Sequence, residues 1–214
     1  VPGLSQISFV SILRSMPPIP LLDQPLAALQ RLEALDLDSS QLPSLPDWIG
    51  ELTNLESLSL YNNLLAGLPE SLWELRGLRT LNIADNLLAE LSPHLGNLVN
   101  LQMLDLGHNQ LDVVPESLGA LVRLRFLYLS NNRLEQLPPS LVRLQNLVYL
   151  NATDNRLVNL PPQLGDLANL IELRLYNNQL AELPESVGDM TRLRELHLMK
   201  NELETLPPSV GGLV

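Results

Sequence analysis

Few residues in this sequence have the type and spacing that catalysis or metal binding requires. The three histidines, His94, His108 and His197, show no metal-ligand spacing, and Asp36 and Asp38 provide two carboxylates where calcium takes about six to eight oxygen ligands. The sequence contains no phosphate-binding loop, protein-kinase signature or H-E-x-x-H zinc motif. It has no cysteine, which excludes disulfides, zinc–thiolate sites and a cysteine nucleophile within these residues. We therefore expect no enzyme activity, no cofactor and no metal site in this chain.

A second set of residues suits binding to a protein. Aromatic residues, methionine and arginine are enriched at the energetically important centres of protein interfaces. Residues of these types, with an aspartate and a histidine among them, occupy variable positions in and just after short strand-like segments: Tyr61, Met103, Asp105, Phe126, Tyr128, Tyr149, Arg174, Tyr176 and His197. Aromatic residues also favour strands for structural reasons, where they cover neighbouring side chains. Because the core positions hold leucine, we favour a partner-binding surface and predict these residues as its contacts.

The spacing of these residues follows a repeat of 23 residues. The template is L-x-x-L-x-L-x-x-N-x-L-x-x-L-P, and its first leucine recurs at Leu32, Leu55, Leu78, Leu101, Leu124, Leu147, Leu170 and Leu193. A fixed period of roughly 20–30 residues is the sequence signature of a stacked solenoid. Each copy buries its leucines only against neighbouring copies, so the repeat predicts one elongated domain.

Each copy is predicted to contain a short strand and a helical turn. The segment L-x-x-L-x-L alternates apolar and variable residues, which indicates a strand whose third, fifth, seventh and eighth residues point outward. Stacked copies would form a parallel sheet. The segment L-P-x-x-L-G-x-L that follows predicts a single helical or 3-10 turn, with the proline in its first turn. The asparagine, present in seven of the eight copies, predicts a ladder of amide hydrogen bonds that is weaker at Ser40.

The two ends of the chain are expected to differ from the repeats. Residues 1–31 are predicted to be an N-terminal capping segment that contains a degenerate copy, and residues 32–214 contain the eight full copies. The sequence starts without methionine and stops at a step that would lead into another copy, with no C-terminal cap. We expect that the array continues in a longer protein, or that this end docks on another surface.

The charge and hydropathy of the chain restrict its partners. Its 214 residues include 24 acidic and 13 basic side chains, a net charge of −11, which repels phosphate backbones and anionic lipid. No apolar run approaches the roughly 18 residues that a membrane-spanning helix needs. We therefore expect a protein partner, and no nucleic acid, membrane or small-molecule substrate. Glu33, Asp36 and Asp38 form an acidic end that would suit a basic partner, although a solvated face is the simpler interpretation.

Residues 32–213 resemble the leucine-rich repeat superfamily. Every full copy keeps the first, second and fourth template leucines. The L-P-x-x-(L/I/V)-G-x-L tail is similar to the 23-residue class found in Ras-pathway adaptors, plant intracellular proteins and many bacterial proteins. The resemblance implies an α/β horseshoe-shaped solenoid. Its parallel sheet would line a concave, protein-binding face, with short helical or 3-10 turns on the convex face.

Two functions fit this resemblance. The first is a protein-interaction module that binds a protein partner on its concave face. The alternative is the substrate-recognition domain of a larger enzyme, such as a bacterial effector ubiquitin ligase, a kinase or a GTPase fusion, whose catalytic part lies outside this chain. The single lysine, Lys200, would suit a ubiquitin-handling effector, although a GC-rich bacterial genome explains it more simply. The lack of cysteine favours an intracellular location or delivery into a host cell as a secreted effector.

Overall fold

The chain forms one open parallel β-sheet whose strands follow each other in sequence order. A computed structural model describes residues 26–212. In this part of the chain one short helix, α1 (Leu26–Leu29), precedes eight strands of three residues each. The strands are β1 (Ala34–Asp36), β2 (Ser57–Ser59), β3 (Thr80–Asn82), β4 (Met103–Asp105), β5 (Phe126–Tyr128), β6 (Tyr149–Asn151), β7 (Glu172–Arg174) and β8 (Glu195–His197). Each strand pairs with the next at a register of one repeat, as Ala34 with Ser57 shows. The predicted parallel sheet is confirmed.

On the opposite, convex side of the solenoid, the described part of the chain forms eight 3-10 turns. Their bounds are Asp47–Glu51, Glu70–Glu74, Pro93–Asn97, Glu116–Ala120, Pro139–Arg143, Leu164–Asp166, Glu185–Asp189 and Pro208–Gly212. The predicted turns are thus confirmed, and in most copies the proline is the capping residue whose carbonyl oxygen accepts the first hydrogen bond of the turn, as Pro115 accepts from the N–H of Leu118 at 3.0 Å. Pro115, for example, precedes its turn with φ −67° and ψ 149°, an extended conformation. The fixed φ of proline therefore ends the extended segment, and the turn begins one residue later.

The core is a continuous column of leucine side chains between the sheet and the 3-10 turns. In the fourth copy Leu101, Leu104, Leu106 and Leu111 all have 0% of their surface exposed. Most strands bury only their central residue and leave the two flanking residues partly exposed. Burial of a leucine contributes roughly 1.5–3 kcal/mol, so each copy is stabilised mainly by the copies stacked on it.

The asparagine ladder predicted from the sequence is present. The side-chain amide of Asn86 donates to the carbonyl oxygens of Leu60 at 2.9 Å and Ile83 at 3.1 Å, and its Oδ1 accepts from the N–H of Leu65 at 3.1 Å. The same pattern recurs at Asn63, Asn109, Asn132, Asn155, Asn178 and Asn201. Ser40 donates to the carbonyl oxygen of Asp38 at 3.3 Å in its own copy, so the ladder is weaker there, as expected.

Close approach of neighbouring copies on the convex side depends on glycine. A Cβ atom built on Gly119 would lie 2.6 Å from Cβ and 2.8 Å from the carbonyl oxygen of Ser140 in the next copy. Equivalent conflicts arise at Gly50, Gly96, Gly165 and Gly188. In these copies the spacing on this side therefore depends on glycine, whereas Trp73 and Val142 occupy the equivalent position of two other copies.

Two further findings concern the limits of the chain. The N-terminal capping segment predicted for residues 1–31 lies outside the described residues, except for α1 and the residues that follow it. Between residues 26 and 212, no helix has the length and apolar character that crossing a bilayer would need.

Candidate functional site

The exposed face of the sheet arranges the candidate site residues in two rows. Because the register repeats in every strand, the third residues of the copies form one row and the fifth residues form another. Along β4 to β8 the first row is Met103, Phe126, Tyr149, Glu172 and Glu195. The second row is Asp105, Tyr128, Asn151, Arg174 and His197. Sheet pairing thus fixes the positions of these side chains on the concave face.

The centre of this face is a group of stacked aromatic and cationic side chains. The rings of Tyr128 and Tyr149 lie 5.0 Å apart between centroids and are tilted by 41°. The guanidinium carbon of Arg174 lies 5.6 Å from the centroid of Tyr149, and that of Arg125 lies 5.6 Å from the centroid of Phe126. Ring pairs and cation–π contacts of this kind each contribute about 0.5–1.5 kcal/mol. Phe126, Tyr128, Tyr149 and Arg174 are called the aromatic patch below.

Burial in the aromatic patch raises the pKa of both of its tyrosines. Burial raises the pKa of Tyr128, and the carboxylates of Asp105 and Glu172 raise it further. Burial also raises the pKa of Tyr149, although the charge of Arg174 opposes this shift. Both phenols therefore remain protonated at neutral pH and can donate hydrogen bonds to a partner.

A pair of opposite charges fixes Arg174 over the tyrosine ring. Its Nε donates to Oε1 of Glu172 at 2.5 Å, and this hydrogen bond is the main reason that its pKa is raised. Side chains held in this way lose little conformational freedom when a partner binds, because they are already ordered.

Asp105 has a structural contact as well as a place in the site. Its Oδ1 accepts from the backbone N–H of Gly107 at 2.9 Å, and Asn82 and Asn151 make the same bond to Ala84 and Thr153. An aspartate or asparagine at the fifth position therefore closes the turn after the strand. Burial nevertheless raises the pKa of the Asp105 carboxyl, and the bond from Gly107 lowers it by less.

Seven of the nine predicted site residues lie together on β4 to β8, and two lie apart. Tyr61 follows β2, and 41% of its surface is exposed. Strand β3 lies between Tyr61 and the two rows on β4 to β8. Tyr176 follows β7 and is partly exposed beyond the end of the strand. The rows thus bring together Met103, Asp105, Phe126, Tyr128, Tyr149, Arg174 and His197.

The eighth residue of each copy has a left-handed backbone conformation, which restricts the residue types found there. The residues there have φ between 52° and 57°, as His108, Asn131 and Asp154 show. Asparagine and aspartate tolerate this left-handed conformation better than other side chains do. The prevalence of these two residue types at the eighth position is therefore explained by the backbone.

One group of possible metal ligands was not predicted from the sequence. Glu172, Glu195 and His197 offer one ligand atom each within 4.8 Å of one another. Nε2 of His197 lies 3.2 Å from Oε2 of Glu195 and 3.9 Å from Oε1 of Glu172, the oxygen that also accepts from Arg174. The group is thus internally paired without an ion. These residues lie in adjacent copies. The 23-residue spacing of Glu172 and Glu195 is the sequence feature that could have predicted this group.

The acidic end in the first copy is partly structural. The carboxylate of Asp38 accepts from the hydroxyl of Ser59 at 2.5 Å and from the backbone N–H of Tyr61 at 2.9 Å. Its position is therefore explained by hydrogen bonds to the second copy.

Comparison with known families identifies the class of the protein. Three family models match: a leucine-rich repeat region over residues 90–180, a leucine-rich repeat over residues 30–88, and a pair of leucine-rich repeats over residues 168–210. The chain belongs to the leucine-rich repeat family. No curated protein matches the sequence significantly.

Solved structures of other leucine-rich repeat proteins share the fold. A protein of Leptospira interrogans is 39% identical over 86% of this chain and 47% of its own, with a TM-score of 0.82. The ectodomain of the Arabidopsis thaliana receptor kinase GASSHO1/SCHENGEN3 is 35% identical over 86% of this chain and 26% of its own, with a TM-score of 0.71. Internalin C2 of Listeria monocytogenes is 26% identical over 88% of this chain and 80% of its own, with a TM-score of 0.79. The chain thus spans less than half of the first two proteins.

These similarities support a protein-interaction module in general. Domains of this family are typically not catalytic.

Proposed function

We propose that this chain binds a protein partner on the concave face of its fourth to eighth repeats, through the aromatic patch and the residues around it. The stacking of Tyr128, Tyr149 and Arg174 on an exposed sheet face carries this proposal. These side chains contribute nothing to the leucine core, which is closed beneath them. Partly exposed aromatic rings beside arginine are the composition that protein interfaces favour.

The surroundings of the aromatic patch support the same function. Met103 lies beside Phe126 in the first row, and Met199 follows β8 with 66% of its surface exposed. Flexible methionine side chains adapt to an apolar partner surface. The related Arabidopsis ectodomain was solved in complex with CASPARIAN STRIP INTEGRITY FACTOR 2, which is a precedent for ligand binding in this family.

The test is partner capture with a matched pair of variants. The patch variant carries Phe126→Ala and Tyr149→Ala within the aromatic patch, and Tyr176→Ala just beyond the end of the neighbouring strand β7. Alanine already occupies the third position of the first copy, at Ala34, and the seventh position of the third copy, at Ala84, so the fold accepts it there.

The control variant carries the same kind of truncation away from the sheet. It replaces Val99, Val113 and Val122 by alanine, and these side chains are 43%, 62% and 48% exposed. All three proteins should first show equal melting temperatures. We expect the wild type and the control to retain the same partner from lysate of the source cells and the patch variant to lose it. Retention of the partner by the patch variant would refute the proposal.

A further inference from the structure

The chain itself shows how an aromatic ring and a carboxylate hold a guanidinium group on the concave face. Arg174 lies over the ring of Tyr149 at 5.6 Å from its centroid and donates to Glu172 at 2.5 Å. The ring attracts the cation through its negative face, and the carboxylate provides a charge-assisted hydrogen bond. The hydrogen bond to Glu172 holds the guanidinium group over the ring, and the ring holds the guanidinium group within reach of Glu172.

A second aromatic and carboxylate pair lies two strands away, with no arginine or lysine on it. Asp105 of β4 and Tyr128 of β5 are register partners in the second row. The carboxylate of Asp105 accepts a hydrogen bond from the N–H of Gly107, and it has no salt bridge within residues 26–212. His108 is the basic side chain there whose charge acts on it. A half-buried carboxylate beside a tyrosine is thus left without a strong cation.

The arginines next to this pair are already engaged elsewhere. Arg125 lies over Phe126, and Arg174 is paired with Glu172 and Tyr149. Burial makes the isolated charge of Asp105 unfavourable, and a cation from outside would relieve that cost. The overall charge of −11 also attracts a basic partner over long distances.

We propose that Asp105 and Tyr128 form a binding site for an arginine or lysine side chain that a protein partner presents to the concave face. This proposal rests on the proposed function and specifies the chemistry of the partner: a segment with a basic residue next to apolar ones. The basic side chain contacts the Asp105 carboxylate and the Tyr128 ring, and its apolar neighbours pack on Met103 and Phe126.

The experiment uses a displayed library of random peptides of twelve residues, selected against the wild type and three variants. Asp105→Asn removes the charge but keeps the oxygen that accepts from Gly107, as Asn82 and Asn151 do in their copies. Asp154→Asn is the matched control, because it removes one charge at an eighth position, where Asn131 stands in the preceding copy. The third is the patch variant defined above.

We expect the peptides enriched on the wild type to share an arginine or lysine. Asp105→Asn should weaken their binding by about tenfold, since it removes a charge-assisted contact, and Asp154→Asn by less than about twofold, since an exposed charge contributes little. A basic residue that is absent from the peptides, or equal effects of the two variants, would overturn the cation site.

Failure of the cation site can be separated from failure of the proposed function. Peptides that lose binding on the patch variant but carry no basic residue would refute the role of Asp105 and leave the concave interface standing. A selection that yields no peptide sensitive to the patch variant would contradict both proposals.

Discussion

Replacement of Asn132 by alanine tests whether the asparagine ladder stabilises the stack of repeats. Its amide donates to the carbonyl oxygens of Leu106 at 2.9 Å and Leu129 at 3.1 Å, and its Oδ1 accepts from the N–H of Leu111 at 3.0 Å. Each buried group left without a partner costs about 1–3 kcal/mol. Water that enters the vacated space reduces the sum, so we expect a loss of about 2–4 kcal/mol in the free energy of unfolding.

Urea unfolding followed by circular dichroism measures this loss, with Asn159→Ala as the control. Asn159 is exposed, and its truncation should change the free energy of unfolding by less than about 0.5 kcal/mol. Hydrogen exchange gives a local measurement, because the N–H of Leu111 should exchange faster once its acceptor is removed. Equal unfolding curves for the two variants would refute the argument that the ladder satisfies buried backbone groups.

Two further predictions concern the turn at Asp105 and the convex contacts. Because burial raises the pKa of Asp105 in the folded state, this carboxyl favours folding when it is protonated, and that advantage is lost as the pH rises through its folded pKa. Asp105→Asn should therefore raise the melting temperature at pH 7. This gain should shrink below roughly pH 4, because aspartate is then protonated in both the folded and the unfolded state. A gain in melting temperature that does not depend on pH would contradict this prediction. Gly119→Ala should destabilise the protein by about 1–3 kcal/mol in urea unfolding, because the new methyl group collides with Ser140. The control, Gly67→Ala, should be neutral or slightly stabilising, because a Cβ at Gly67 has no atom within 4 Å. Equal free energies of unfolding for the two glycine variants would show that neighbouring copies can move apart at Gly119 without loss of stability.

The repeat period accounts for the part of the fold that the sequence could predict. Leucines such as Leu104 and Leu127 recur at one spacing, so their common environment follows from the pattern alone. The ladder at Asn86 or Asn132 could be predicted for the same reason, because a polar side chain that recurs within an apolar column must bond to neighbouring copies. Sequence-based prediction therefore succeeds where every copy meets the same physical requirement.

Features that depend on backbone angles could not be read from the pattern. The left-handed conformation at Asp154 gives a structural reason for the residue types at the eighth position, which the pattern shows only as variable. Pro115 fits the first position of a helix equally well by its fixed φ, and only ψ shows that it precedes the turn. Asp105 is a predicted contact residue that also has a structural role, because its carboxylate accepts a hydrogen bond from Gly107 in the folded turn.

The contacts within the candidate site also required the structure. The sequence places Tyr128 and Tyr149 on adjacent strands, but their ring distance and the position of Arg174 depend on rotamers. Arg174 and His197 were predicted as contacts of the binding surface, whereas the structure shows that one oxygen of Glu172 lies close to both of them. The residue types of a binding face were thus predictable, and its electrostatics were not.

Site-specific photo-crosslinking tests the concave interface most directly. A photoreactive phenylalanine analogue replaces Phe126 in one protein and the exposed Val113, outside the sheet, in another. Each protein is irradiated in lysate of the source cells. We expect a discrete adduct with one partner protein from position 126 and none from position 113. An adduct that forms only from position 113, or no adduct from either position, would contradict binding through the aromatic patch.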